Sequence, residues 1–122
     1  MVGGHLYIHQ IGSVSESIAG FDWDEGNLPK CQSHGVTISE IEAAFQSPIR
    51  VFPAPAHSAA ETRYVGIGRT TSGRHLLVAF TYRGIDKRRL VRPISARFMH
   101  EKEVRHYEEQ TQASEKASSS RE

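Results

Sequence analysis

Three strand-like segments crowded into the second half of the chain restrict the fold more than any other feature: "TRYVGIGR" (62–69), "HLLVAFTYR" (75–83) and "RRLVRPISAR" (88–97). The connections between them, "TTSG" and "GIDK", are short enough for hairpins, so the three are expected to pair as an antiparallel sheet. The middle segment is apolar at nearly every position from 75 to 82, which predicts a strand buried on both faces at the sheet's centre. Glycine-rich "GIGRTTSG" falls across a strand and a hairpin and reads as turn chemistry.

Ahead of the sheet, two helices are expected. Asp24 is a plausible N-cap for a helix running to about Ser33 and stopping at Gly35, with Pro29 either in its first turn or making it irregular. In "VTISEIEAAFQ" Thr37 is followed three residues later by Glu40, the capping-box spacing, and Ile41, Ala44 and Phe45 recur at helical intervals. "FDW" reads as a short first strand. Pro48, Pro53 and Pro55 allow only a short edge strand in "PIRVFPAPAH". A last helix is expected from about Met99 to Gln110, with Val104 and Tyr107 one turn apart. The fold class is therefore α+β, an antiparallel sheet with two N-terminal helices and one C-terminal helix, all packed on one side.

With 122 residues the chain accommodates one domain. Residues 1–20 read as a flexible leader, 21–110 as the folded domain and 111–122, "TQASEKASSSRE", as a disordered serine-rich tail. Cys31 is the one cysteine, which excludes an internal disulfide and fits a reducing cytoplasm. No apolar run approaches the ~20 residues of a membrane span, and the start of the chain lacks signal-peptide character.

Net charge is only +1, but its distribution is uneven. Arg83 to Arg97 carries five arginines and Lys87 against Asp86, a local +5, whereas Phe21 to Phe45 carries five acids against Lys30, a local −4. A basic patch on a near-neutral domain favours an anionic partner, either nucleic acid or an acidic protein surface.

Strand alternation puts Arg63, Val65, Ile67 and Arg69 on one face, and Arg89, Val91, Ser95 and Arg97 on one face unless Pro93 introduces a bulge that breaks the parity. Should the two sets share a side, several guanidiniums converge, and guanidinium forks bind phosphate oxygens without losing charge at neutral pH. On the last helix His100, Glu103 and Tyr107 share a face. Metal-free RNA cleavage needs a base for the 2′-hydroxyl, a cation for the non-bridging oxygens and an acid for the leaving 5′-oxygen, and this strand and helix carry all three types. The competing structural account makes Tyr107 a core aromatic, pairs Glu103 with an arginine and has His100 cap the helix.

No metal site is expected: His5 with His9, and Cys31 with His34, each give two ligands where a structural site needs four. No phosphate loop, dinucleotide fingerprint or other cofactor motif occurs.

Taken in order, "FDWDEGN", "KCQSHGV", "HSAAETRYVGIGR" and "ISAR" followed by Glu103 and "YE" resemble the BrnT family of bacterial toxins over about residues 21–108. The resemblance implies a RelE-like fold and a metal-independent ribonuclease that cuts messenger RNA and arrests growth. It also implies a BrnA-type antitoxin that binds the toxin, as a heterotetramer, and contacts operator DNA through its own DNA-binding part. By position it marks His34, Arg63, Arg69, Arg97, Glu103 and Tyr107 as functional. Arg97, Arg63 and Arg69 would hold the scissile phosphate, Glu103 or His34 would act as base, and Tyr107 or a histidine as acid. Arg83, Arg89, Lys30 and Ser95 are further expected RNA contacts. The family's lysine before His-Gly-Val is Ser33 here, with Lys30 a candidate substitute. The competing function is a catalytically silent module whose basic face docks an acidic antitoxin segment.

Overall fold

The computed structural model describes residues 18–54, 61–84 and 88–120, with side chains to position 113. Its elements are β1 (Gly20–Phe21), α1 (Leu28–Gln32), α2 (Ile38–Gln46), β2 (Arg50–Pro53), β3 (Tyr64–Arg69), β4 (His75–Arg83), β5 (Leu90–Phe98) and α3 (Glu101–Ser120). The expected leader, residues 1–20, lies outside the described residues up to position 17.

Local chemistry accounts for the helices. At α2 the capping box is complete: the Glu40 backbone N–H donates to Thr37 Oγ1 at 3.1 Å, and the Thr37 N–H donates to Glu40 Oε1 at 2.9 Å. Helix α1 is shorter than the sequence suggests. Asp24 does not cap it; the Asp24 carboxylate instead accepts from the Gly26 N–H at 2.8 Å, holding a turn that delays the helix to Leu28. Pro29 then falls in the first turn, where its missing N–H is harmless. Gly35, at φ 84°, supplies the left-handed residue that ends this stretch. By contrast α3 is longer than expected, running to Ser120 instead of stopping near Gln110. The serine-rich segment read as disordered contains no Gly or Pro to stop a helix, and its Gln, Ala, Glu and Lys residues favour one.

The sheet order is β1-β5-β4-β3-β2, with β4 at the centre and β2 on an edge, as the apolar and proline patterns predict. One pairing departs from the expected antiparallel set: β1 runs parallel to β5, so the sheet is mixed. The β4–β5 ladder is irregular. Ala79 faces Ser95 and Phe80 faces Pro93, so Ile94 is left over as a bulge beside a proline that has no N–H to give the ladder. This reverses parity along β5. Val91 is buried with the core, while Ser95 and Arg97 turn to the opposite face, so the expected row of Arg89, Val91, Ser95 and Arg97 does not form.

Core residues Val36, Ile41, Ala44, Phe45, Ile49, Leu76, Val78, Phe80 and Val91 lie between α1, α2 and one face of the sheet. Phe45 sits edge-on to Phe80 and Phe21, with ring centroids at 5.0 and 5.8 Å. Gly66 and Gly68 lie within β3, as expected of the 62–69 segment. A Cβ on Gly68 would stand 3.3 Å from both the Cβ and the carbonyl oxygen of Ala44, so the bare backbone is what lets α2 approach β3. Helix α3 meets the other face of the sheet, through Arg97, His75 and Arg69. The expectation that all helices pack on one side is therefore corrected: the sheet lies between α1 with α2 and α3.

Candidate functional site

The face of the sheet that meets α3 is set by register. Opposite pairs Val65 and Ala79, Ile67 and Leu77, and Arg69 and His75 place these residues together on it, with Arg50 across from Ile67 and Arg97 across from Leu77. The row Arg63, Val65, Ile67, Arg69 thus shares one face. Its two arginines stand at opposite ends, however, about 20 Å apart at ~3.3 Å per residue, too far to grip one phosphate.

Helix α3 crosses this face from β5 towards β2. Its first turn is fastened by Glu103, whose carboxylate accepts from both terminal nitrogens of Arg97 at 2.8 Å. The same carboxylate accepts from the His100 backbone N–H at 2.8 Å, so it also caps the helix start. The Arg97 guanidinium, and then the His100 N–H, hold the Glu103 carboxyl down at about 2. A carboxylate so stabilised takes up a proton poorly, and Arg97 has both ends of its fork engaged.

One turn further, Tyr107 sets its ring edge-on to His75, with centroids 6.1 Å apart. Glu108 Oε2 lies 3.7 Å from an Arg69 nitrogen and 3.8 Å from His75 Nε2. These residues, with Arg50 on β2, line a groove of about 670 Å³ between α3 and the edge of the sheet. Burial pushes the His75 imidazole below its ordinary value, and the adjacent Arg69 pushes the same way while Glu108 opposes them. Burial pushes the Tyr107 phenol up, so it is protonated at neutral pH. The groove therefore combines a fixed cation, a neutral imidazole and a protonated phenol.

The other expected site residues are dispersed. His34 is exposed between α1 and α2, and among the described residues no hydrogen bond, ion pair or ring contact joins it to the groove. Lys30 is exposed on α1. Arg83 pairs with Glu61 at 3.4 Å, and Arg89 lies over the Tyr82 ring at 3.9 Å. Ser95 is half-buried opposite Ala79. Arg63 is half-buried, and its Nε has no hydrogen-bond partner among the described residues. Sequence reading missed His75 and Arg50. The cross-strand pairing of Arg69 with His75 was within reach of a correct hairpin register; the approach of Tyr107 was not. Among the described residues no three His, Cys, Asp or Glu side chains form a group able to hold a metal.

Comparison with family models decides the relationship: the model of BrnT, the ribonuclease toxin of type II toxin–antitoxin systems, matches residues 23–103. The chain belongs to the BrnT family. A search of curated proteins gives no match. The BrnT match takes in Arg69, His75, Arg97 and Glu103 and ends before Tyr107 and Glu108, so the part of the groove contributed by α3 lies beyond the matched span. At the start of that span, "FDWDEGN" (21–27) has a structural explanation. Asn27, 2% exposed, donates from Nδ2 to the carbonyls of Asp22 and Pro93 at 3.0 and 2.7 Å and accepts from the Asp24 N–H at 2.8 Å, tying the first turn to β5. Ribonuclease toxins of type II systems act with an antitoxin partner, and no described helix of this BrnT chain is long and apolar enough to cross a membrane.

Proposed function

We propose that the chain is the toxin of a type II system that cuts messenger RNA without a metal ion, stops translation and growth, and works in the cytoplasm until a BrnA-type antitoxin neutralises it. The observation that carries this reading is the groove, where the Arg69 guanidinium and the Tyr107 phenol face the same 670 Å³ space beside a sheet of the matched family. Arg69 would hold a non-bridging phosphate oxygen, and Tyr107 would protonate or position the leaving oxygen. Arg97 and Glu103 would act by holding the start of α3 to β5, which fixes Tyr107 over the sheet. Two helices, a sheet and a closing C-terminal helix in this order are consistent with a RelE-like fold. The antitoxin complex would be a heterotetramer that reaches operator DNA only through the antitoxin.

One observation favours the second reading, a silent module that docks an acidic antitoxin segment: Arg83, Arg92 and Arg97 already face the carboxylates of Glu61, Asp24 and Glu103. Such sites accept carboxylate. Induced expression separates the readings. Under the ribonuclease reading, wild type arrests growth with fragmentation of cellular RNA, and Arg69→Ala abolishes both while a co-expressed BrnA-type antitoxin still binds the variant. A folded wild type that leaves growth and RNA intact would favour the docking module.

A further inference from the structure

The pairing of His75 with Arg69 across the β3–β4 hairpin places an imidazole where neither the family motifs nor the sequence reading looked for one. Its side chain is only 11% exposed, and what exposure it has opens into the groove. Arg69 on β3 and Tyr107 and Glu108 on α3 face it, and Arg50 on β2 lines the same groove. From the geometry we infer that His75 is the general base of RNA cleavage in this groove, taking the proton from the 2′-hydroxyl next to a phosphate held by Arg69. This rests on the ribonuclease reading.

The alternatives for the base are weaker on geometry. Glu103 has its carboxylate bound by the Arg97 fork and the His100 N–H, and among the described residues nothing links His34 to the groove. His75 stands beside a cation able to hold the phosphate, and its ring neighbour is a phenol able to serve as acid. The 3.8 Å between His75 Nε2 and Glu108 Oε2 is longer than a hydrogen bond, so Glu108 does not occupy this nitrogen, and in the Nδ1–H tautomer Nε2 offers its lone pair to a hydroxyl. Glu108 is nevertheless close enough to stabilise the imidazolium once it forms. Burial and Arg69 keep the ring neutral beforehand, the form a base requires.

The step balances without a co-reactant. The 2′-hydroxyl proton passes to His75 Nε2, the 2′-oxygen bonds to phosphorus, and the bond from phosphorus to the 5′-oxygen breaks. That oxygen takes the Tyr107 hydroxyl proton, and solvent returns a proton from the imidazolium to the phenolate. The products are a 2′,3′-cyclic phosphate and a 5′-hydroxyl.

The test is the pH dependence of cleavage of a labelled mixed-sequence single-stranded RNA by the purified full chain, alone and with ribosomes, in chelator. Wild type should lose activity as pH falls through an apparent pKa below the ordinary histidine value of about 6.5. His75→Ala should cut about 10²–10⁴-fold more slowly, lose that acidic limb, and recover in part when imidazole is added. His75→Asn is measured in its place should the alanine variant fold poorly. A wild type that cleaves while the folded variant matches its rate and keeps its acidic limb overturns this inference alone. A wild type that cleaves no RNA under either condition overturns the ribonuclease reading and this inference with it.

Discussion

Arg97 on β5 and Glu103 on α3 are joined by two hydrogen bonds of 2.8 Å, and the same carboxylate accepts the His100 backbone N–H. The pair is the clasp by which the C-terminal helix is fixed across the sheet, its two members six positions apart along the chain where strand passes into helix. Its side chains are about one-third exposed, 38% for Arg97 and 35% for Glu103, so solvent screens the attraction.

The clasp predicts a pH signature. Glu103 sits at about 2 in the folded protein against an ordinary 4.5, so its stabilising effect is fully present above 4.5 and is lost as pH falls towards 2. Glu103→Gln should lower stability at pH 7 by about 1 kcal/mol or less, the range of partly exposed pairs. Urea midpoints measured from pH 7 downward should show the gap between wild type and variant narrowing below about pH 4.5. A gap that stays constant with pH would assign it to something other than this ionisation.

Asn27 is a second anchor, tying the turn before α1 to the same strand β5. Asn27→Ala removes three side-chain hydrogen bonds to backbone groups of Asp22, Asp24 and Pro93 at a site 2% exposed. Leaving such groups without partners costs about 1–3 kcal/mol. Asn27→Asp should do no better, because a carboxylate would face two carbonyl oxygens. Denaturant unfolding of both variants checks this, and a loss confined to the alanine variant would contradict it.

How far the sequence disclosed all this depends on the range of the interactions. The Thr37–Glu40 box was legible because both partners lie within one turn, and the centrality of β4 because burial on both faces is written into a single run of residues. Parity along β5 was not legible. Pro93 announced a possible bulge, but only pairing with β4 places the extra residue at Ile94. The length of α3 was obscured by composition, since a serine-rich polar segment reads alike whether helical or not. The role of Glu103 was read two ways, and its pairing with Arg97 could be decided only once strand and helix were set against each other. His75 was overlooked because its neighbours come from three elements.

Gly68 tests the close approach of α2 to the sheet. Gly68→Val puts a branched side chain against the Cβ and carbonyl of Ala44, each 3.3 Å from where a Cβ would stand. The helix must shift, and overpacking of this kind lowers stability by about 1–3 kcal/mol. Thermal or urea unfolding should register that loss. An unchanged midpoint would mean the helix yields freely at this contact.

RNA binding should depend steeply on salt if phosphates meet the arginines of the groove. Arg69→Ala should weaken binding to unrelated RNA sequences by a similar factor and flatten the slope of log affinity against log salt by about one phosphate contact. Filter binding or fluorescence anisotropy at several salt concentrations measures both. A change in sequence preference with an unchanged slope would place Arg69 against a base and not a phosphate.

Under the proposed function this chain cuts RNA by side-chain chemistry in the groove between α3 and the sheet. The most direct test of this is incubation of the purified wild type and Arg69→Ala with a labelled RNA in excess chelator, followed by analysis of the product ends. The account predicts fragments ending in 2′,3′-cyclic phosphate and 5′-hydroxyl from the wild type, and cleavage at least tenfold slower from the variant, about 1.4 kcal/mol of lost transition-state stabilisation. Cleavage that stops when divalent metal is removed, or that proceeds equally well without Arg69, would contradict it.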